Sequence, residues 1–217
     1  VSSSAMGRSM KYSIYLPKDY GSGKDFPVLY LLHGYGDENN AWLDKGNLAN
    51  IAKAYEENGG KQMIVVCPDA LTTFYIDSYQ GKYKTYFFEE LVPAIEFTYN
   101  VKKDKYARAV AGLSMGGGHT IAASGMYPDK FDYICPLSMG ANKSPELDAQ
   151  LQGIKKAGYK LYWLACGNTD FLFDRANELD AALTENGLEH TYYVSEGGHV
   201  WANWRLYLNT FAPLLFK

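Results

Sequence analysis

Apolar residues recur along the chain in two alternating patterns. Val28–Leu32, Met63–Cys67, Tyr106–Ala111, Tyr133–Leu137 and Lys160–Cys166 are short, nearly continuous apolar runs, as strands buried on both faces of a parallel sheet require. Lys11–Leu16 alternates apolar and polar and predicts an early, antiparallel strand, and His190–Val194 predicts the last one. Between these runs the spacing turns helical. Helices are predicted over Asn47–Asn58, stopped by Gly59-Gly60, and over Thr85–Tyr99, where Pro93 implies a kink or local break. Further helices are predicted over Gly117–Gly125, Pro145–Ala157, Asp174–Asn186 (ending at Gly187) and Val200–Phe211. Strands alternating with helices predict an α/β fold, a mostly parallel central sheet flanked by helices. No repeat or linker interrupts residues 1–217, which therefore read as one domain. Ala70–Lys84 has weak periodicity and several aromatics and reads as a surface loop.

Composition changes this picture little. Hydrophobic and charged contents of 47% and 21% are those of an ordinary globular protein. The formal charge of −3, with no basic stripe, speaks against a nucleic-acid partner. No apolar run approaches the roughly 20 residues that span a bilayer, so no membrane association is expected. Cys67, Cys135 and Cys166 are odd in number and show no CxxC spacing. They read as buried free thiols, and no metal site is expected. The chain opens on Val1, which suggests a fragment or processed product, so a missing signal peptide says nothing about secretion. Aromatics are abundant, with 19 Tyr, 10 Phe and 4 Trp. Tyrosine in such excess often lines sites for sugars or aromatic rings.

The chemistry centres on Gly112-Leu113-Ser114-Met115-Gly116, between an apolar run and a small-residue helix. That is a G-x-S-x-G nucleophile elbow in a strand–turn–helix context, and it makes Ser114 the candidate nucleophile. Glycines flank the serine because a Cβ there would meet the neighbouring strand or the helix start. A serine needs a base, and the base needs a carboxylate to fix its tautomer; in the hydrolases that share this elbow, these follow in the chain order Ser, Asp or Glu, His. His199, in the flexible Gly197-Gly198-His199 turn after the last strand, is the preferred base, with His190 the alternative beside a strand. His119 and His33 are poor bases by order, and His33 reads as a structural hydrogen-bonder. Asp170, in the loop after the Lys160–Cys166 strand, is the preferred acid. Asp174 is the alternative, explained equally as a helix cap. An oxyanion hole needs two backbone N–H groups. Met115 supplies one by position, and Tyr35 in His33-Gly34-Tyr35-Gly36 is the candidate for the other.

These motifs, with Trp42, Pro68-Asp69, Glu89-Glu90-Leu91-Val92-Pro93, Asp170-Phe171-Leu172, Trp201 and Trp204, occur in an order that resembles the esterase-D-like α/β-hydrolases. Within them it resembles the family-one carbohydrate esterases, feruloyl and acetylxylan esterases, with tributyrin esterases nearby. The likeness runs from about Met6 to the C-terminus. It implies the triad Ser114, Asp170 and His199, oxyanion donors Tyr35 and Met115, and no cofactor. Gly140–Lys156 is too short for a cap domain, which implies an open cleft for polymer-attached esters.

The expected activity is therefore a serine carboxylesterase. Its substrate would be a small-molecule or polysaccharide-linked ester, with feruloyl, cinnamoyl or acetyl groups removed from plant polysaccharide through an acyl-enzyme. The alternatives are a thioesterase resembling S-formylglutathione hydrolase and a catalytically silent binding module. The first reading goes with a secreted or periplasmic location and the thioesterase with a cytoplasmic one. A planar acyl ring needs aromatic walls, for which Tyr35, Trp42, the Phe74–Tyr79 loop including Tyr75, Leu172 and Trp201 are the candidates. Trp42 and Trp201 are equally readable as core.

Overall fold

A computed structural model describes all 217 residues. Seven strands form its central sheet: β1 (Tyr12–Tyr15), β2 (Val28–Leu32), β3 (Ile64–Pro68), β4 (Arg108–Leu113), β5 (Tyr133–Leu137), β6 (Leu161–Gly167) and β7 (Thr191–Ser195). Their order across the sheet is β7-β6-β5-β4-β2-β3-β1. All neighbours are parallel except β1, which runs antiparallel to β3 at the edge. Strands β2, β3 and β5 are buried at every position, as their unbroken apolar runs require, whereas the edge strands β1 and β7 are only partly covered.

Six main helices cover the two faces: α1 (Leu48–Glu57), α2 (Val92–Thr98), α3 (Met115–Met126), α4 (Pro145–Ala157), α5 (Phe173–Glu185) and α6 (Trp201–Phe211). Successive residues of a strand point to opposite faces, and β2 displays this clearly. Leu29 and Leu31 join the core that holds α1 and α6, while Val28, Tyr30 and Leu32 join the core that holds α2 to α5. No helix is long and apolar enough to cross a membrane. The three cysteines are free and buried. Burial pushes the Cys67 and Cys166 thiols up to about 12, so they stay protonated at neutral pH.

Three local expectations are corrected. The strand predicted from Tyr106 begins at Arg108, because Lys105–Ala107 forms a 3-10 turn and the Tyr106 ring is exposed, which no fully buried strand permits. The break expected at Pro93 takes the form of a π-helical segment, Tyr86–Leu91, leading into α2. There the Val92 N–H reaches back to the Phe87 carbonyl, and Pro93 falls in a first turn that needs no N–H. Ala70–Lys84 is not wholly a surface loop: Ala70, Thr73, Tyr75 and Tyr83 are buried, and a short hairpin joins Asp77–Ser78 to Gly81–Lys82.

The strand register positions the site. Leu32 pairs with Gly112, Leu113 with Leu137, Leu137 with Ala165, and Cys166 with Val194. The residues that follow, from His33, Ser114 and Ser138 to the loops after β6 and β7, therefore emerge along one sheet edge.

Candidate active site

Ser114 joins β4 directly to α3 with φ 53° and ψ −113°, a conformation that L side chains rarely adopt. Such strain persists only where the surroundings enforce it. Here the Ser114 N–H donates to the Leu137 carbonyl at 2.8 Å. The flanking glycines are a packing requirement. A Cβ on Gly112 would lie 2.5 Å from the Gly116 backbone, and one on Gly116 would lie 2.7 Å from the Leu32 carbonyl.

The structure brings Ser114, His199 and Asp170 together. His199 Nε2 lies 2.9 Å from Ser114 Oγ, and His199 Nδ1 lies 2.8 Å from Asp170 Oδ2. A carboxylate can only accept, so Nδ1 carries the proton and Nε2 presents its lone pair to the serine hydroxyl. Asp170 is buried. Burial opposes its charge, but the donors around it, led by His199 and followed by the Leu172 N–H, outweigh that and hold its carboxyl below the usual range. The Leu172 N–H reaches Asp170 Oδ1 at 2.9 Å. The two loops are also tied to each other by the Thr169 N–H, which donates to the Gly197 carbonyl at 3.1 Å, and Asn203 of α6 holds the second loop through Nδ2 to the Gly198 carbonyl at 2.9 Å.

The alternatives are placed elsewhere. His190 sits at the start of β7, the end remote from His199, paired through Nε2 with Asp180 Oδ1 at 2.7 Å. Asp174 is exposed in the first turn of α5 and does not cap it, since Leu172 is the N-cap residue. Its charge there suits the helix dipole. His119 is buried in α3 among Tyr75, Tyr83 and Phe87.

The loop after β2 passes against the elbow, because a Cβ on Gly34 would lie 2.6 Å from Leu113 Cδ1 and 3.6 Å from Ser114 Cβ. The backbone N–H groups of Tyr35 and Met115 donate to no protein acceptor, and Met115 opens α3, where a first-turn N–H has no intrahelical partner. Two unpartnered donors beside a serine hydroxyl can bind a developing oxyanion. The loop is braced from beneath. His33 Nε2 accepts the Ala70 N–H at 2.9 Å, and Nδ1 faces the Gly34 carbonyl at 2.7 Å.

Tyr75 is a correction: it is buried, not lining a cleft, and its hydroxyl donates to the His33 carbonyl at 2.8 Å. Trp42 is likewise core, its Nε1–H donating to the Leu32 carbonyl at 3.1 Å. Trp201 is half-buried and stands edge-on between Trp42 and Trp204, at 5.1 Å from each. Leu172 is half-buried, and its placed contribution is the N–H to Asp170. The exposed aromatics near the site are Tyr35 and Phe74, stacked with ring centroids 5.4 Å apart, and Phe171.

Sequence reasoning did not reach Ser138, which follows β5 with φ 50°. Its Oγ accepts the Trp204 Nε1–H at 2.9 Å, and its hydroxyl helps to lower Asp170. A small polar residue at the carboxyl end of a buried strand was the available signal. No group of three or more His, Cys, Asp or Glu side chains is arranged to hold a metal ion.

Comparison with known proteins gives matches over nearly the whole chain. A family model described as "Putative esterase" matches residues 3–215. An endo-1,4-beta-xylanase/feruloyl esterase of Xylanibacter ruminicola is 33% identical over 99% of this chain, which spans 30% of that relative's length. An acetyl esterase of Caldicellulosiruptor saccharolyticus is 26% identical, over 88% of this chain and 83% of its own length. Among solved structures, a ferulic acid esterase superposes with a TM-score of 0.89 at 28% identity, covering 99% of this chain and 95% of that one.

Proposed function

The chain belongs to the Esterase family and has the α/β-hydrolase fold, and from that premise we propose that it is a serine carboxylesterase releasing feruloyl or acetyl groups from plant polysaccharide. The observation that carries the proposal is the unbroken relay from Ser114 Oγ through His199 to the buried Asp170, with contacts of 2.9 and 2.8 Å. A relay so ordered activates a hydroxyl.

In the proposed reaction, Ser114 Oγ attacks the ester carbonyl as His199 Nε2 takes its proton. The carbonyl oxygen becomes an oxyanion held by the Tyr35 and Met115 N–H groups. Collapse breaks the bond to the alcohol, whose oxygen takes the proton from Nε2 and leaves. Water then repeats the sequence on the acyl-enzyme: His199 takes its proton, the carbonyl carbon gains its oxygen, and Ser114 is restored as the acid departs. Asp170 keeps its charge throughout and holds the imidazolium that forms at each step. The stacked and exposed pair of Tyr35, on the loop that carries an oxyanion donor, and Phe74, from the loop after β3, is the wall offered to a planar acyl group.

The test is a panel of methyl ferulate, a feruloylated oligosaccharide, acetylated xylo-oligosaccharide and S-formylglutathione. Turnover of the oxygen esters well above the thioester is the expected result. Preference for S-formylglutathione would replace this reading with the thioesterase, and failure of Ser114 to react with a fluorophosphonate would leave a silent binding module.

A further inference from the structure

We propose that Phe171 is the platform for the alcohol half of the substrate, taking the face of the sugar through which the ester is attached. The inference rests on the esterase reading above and assigns a contact within the same site.

Phe171 directly follows Asp170, so the chain passes from a buried carboxylate to an exposed ring in one residue; Phe171 is 76% exposed. Its ring centroid lies 4.6 Å from that of His199, at 51°. The other aromatic against the imidazole is the buried Trp204, edge-on at 5.0 Å. The imidazole thus lies between a buried indole and a phenyl ring open to solvent.

The reaction decides what meets that open ring. Nε2 must return its proton to the leaving oxygen, which therefore lies within about 3 Å of it. The oxyanion faces Tyr35 and Met115 instead, and Phe74, from the loop after β3, stacks on Tyr35 on that side. Whatever hangs from the leaving oxygen therefore starts on the His199 side, where the exposed ring is Phe171. A flat apolar ring with no polar handle suits the C–H face of a sugar. Arg175, one helical turn further on, lines a groove of about 360 Å³ with Asn142, Ser144 and Gln150. Those side chains suit the hydroxyl groups of further sugar units.

Two acyl groups on two alcohols test this: methyl ferulate against a feruloylated arabinoxylo-oligosaccharide, and methyl acetate against an acetylated xylo-oligosaccharide. Phe171→Ala should lower kcat/KM on the sugar-linked esters by roughly three- to tenfold, chiefly through KM. The methyl esters should stay within about twofold, because a methyl leaving group presents no sugar face to the ring. Phe171→Trp should restore the sugar-linked rates. Equal losses on methyl and sugar-linked esters would assign Phe171 to holding His199 and overturn the platform, as would no loss on either. If the wild type cleaves only the acetyl pair, the feruloyl reading fails while the same comparison still tests Phe171. A wild type inactive on all four removes the esterase reading itself, before any variant is compared.

Discussion

Ser114 has two energetic roles that substitution separates. As the bond-forming atom in the proposed reaction, its hydroxyl is indispensable: Ser114→Ala should reduce turnover by roughly 10⁴- to 10⁶-fold. As a residue at φ 53°, it also stores strain. Ser114→Gly should be as inactive, yet more stable than Ser114→Ala by about 1 kcal/mol, because only glycine adopts that conformation freely. Thermal melts of the two variants check the difference, and equal stabilities would mean the elbow is not strained. Asp170 and Asp174 separate in the same way. Asp170→Asn should cost up to ~10⁴ in turnover by favouring the wrong imidazole tautomer, whereas Asp174→Asn should leave turnover nearly unchanged. The pH dependence follows the lowered Asp170 pKa. A carboxyl whose pKa is lower folded than unfolded adds stability above its unfolded value and loses it as pH falls through the folded one. That increment therefore disappears on acidification and should be missing from Asp170→Asn at every pH.

The loop Ala70–Tyr75 operates as an element, because two consecutive residues with positive φ send neighbouring side chains in opposite directions. Phe74, at φ 55°, is exposed and stacks on Tyr35, while Tyr75, at φ 58°, is buried and holds the His33 carbonyl. One element thus carries the exposed ring of the proposed acyl wall and braces the loop bearing Tyr35. The two functions should respond differently to mutation. Phe74→Ala should lower kcat/KM on feruloyl esters by roughly three- to tenfold and on acetyl esters much less, the value of one aromatic contact. Tyr75→Phe should slow both esters alike, roughly tenfold, because it leaves a buried carbonyl unpaired and loosens an oxyanion donor common to both. Steady-state kinetics on the two methyl esters distinguish these outcomes. A selective loss from Tyr75→Phe would return that residue to the acyl site.

At the scale of the whole molecule, the packing between α3 and the Tyr83–Leu91 segment encloses an ionisable group. The His119 ring lies 5.0 Å from that of Tyr75 and 4.8 Å from that of Phe87, and its Nε2 has no hydrogen-bond partner. Burial, offset in part by the Tyr75 carbonyl and aided by Lys84, pushes its pKa down from 6.5 to about 4. The unfolded chain therefore binds a proton in this window that the folded one refuses. This group costs no stability above about pH 6.5 and destabilises the fold by up to about 3 kcal/mol as pH falls towards 4. Denaturant melts between pH 4 and 7.5 should record that slope, and His119→Phe, which keeps the ring contacts, should flatten it. An unchanged slope in the variant would assign the acid sensitivity to other groups.

Much of this molecule is legible along the chain because its information is local. Continuous apolar runs mark β2, β3 and β5, since a strand covered on both faces cannot carry polar residues. The elbow is legible because the Gly112 and Gly116 contacts tolerate no side chain and the turn sits between a strand and a helix. Asp170 and His199 are legible because each lies on a loop after a strand that follows the elbow, at the sheet edge where the mechanism needs a base and its carboxylate, and in the chain order that goes with this elbow. What only folding decides is the direction of side chains in segments without period. Tyr75 and Trp42 look like cleft aromatics because the pattern predicts loops for them at that edge, yet backbone φ at one, and a one-turn helix at Ala41–Asp44 with a hydrogen bond to Leu32 at the other, turn both inward. The start of β4 moved to Arg108 because the 3-10 turn before it is set by a hydrogen bond to Asp104, which leaves no apolar signature. Ser138 and Phe171 gain their meaning solely from what lies across from them, Trp204 and His199, at sequence separations that no local pattern encodes.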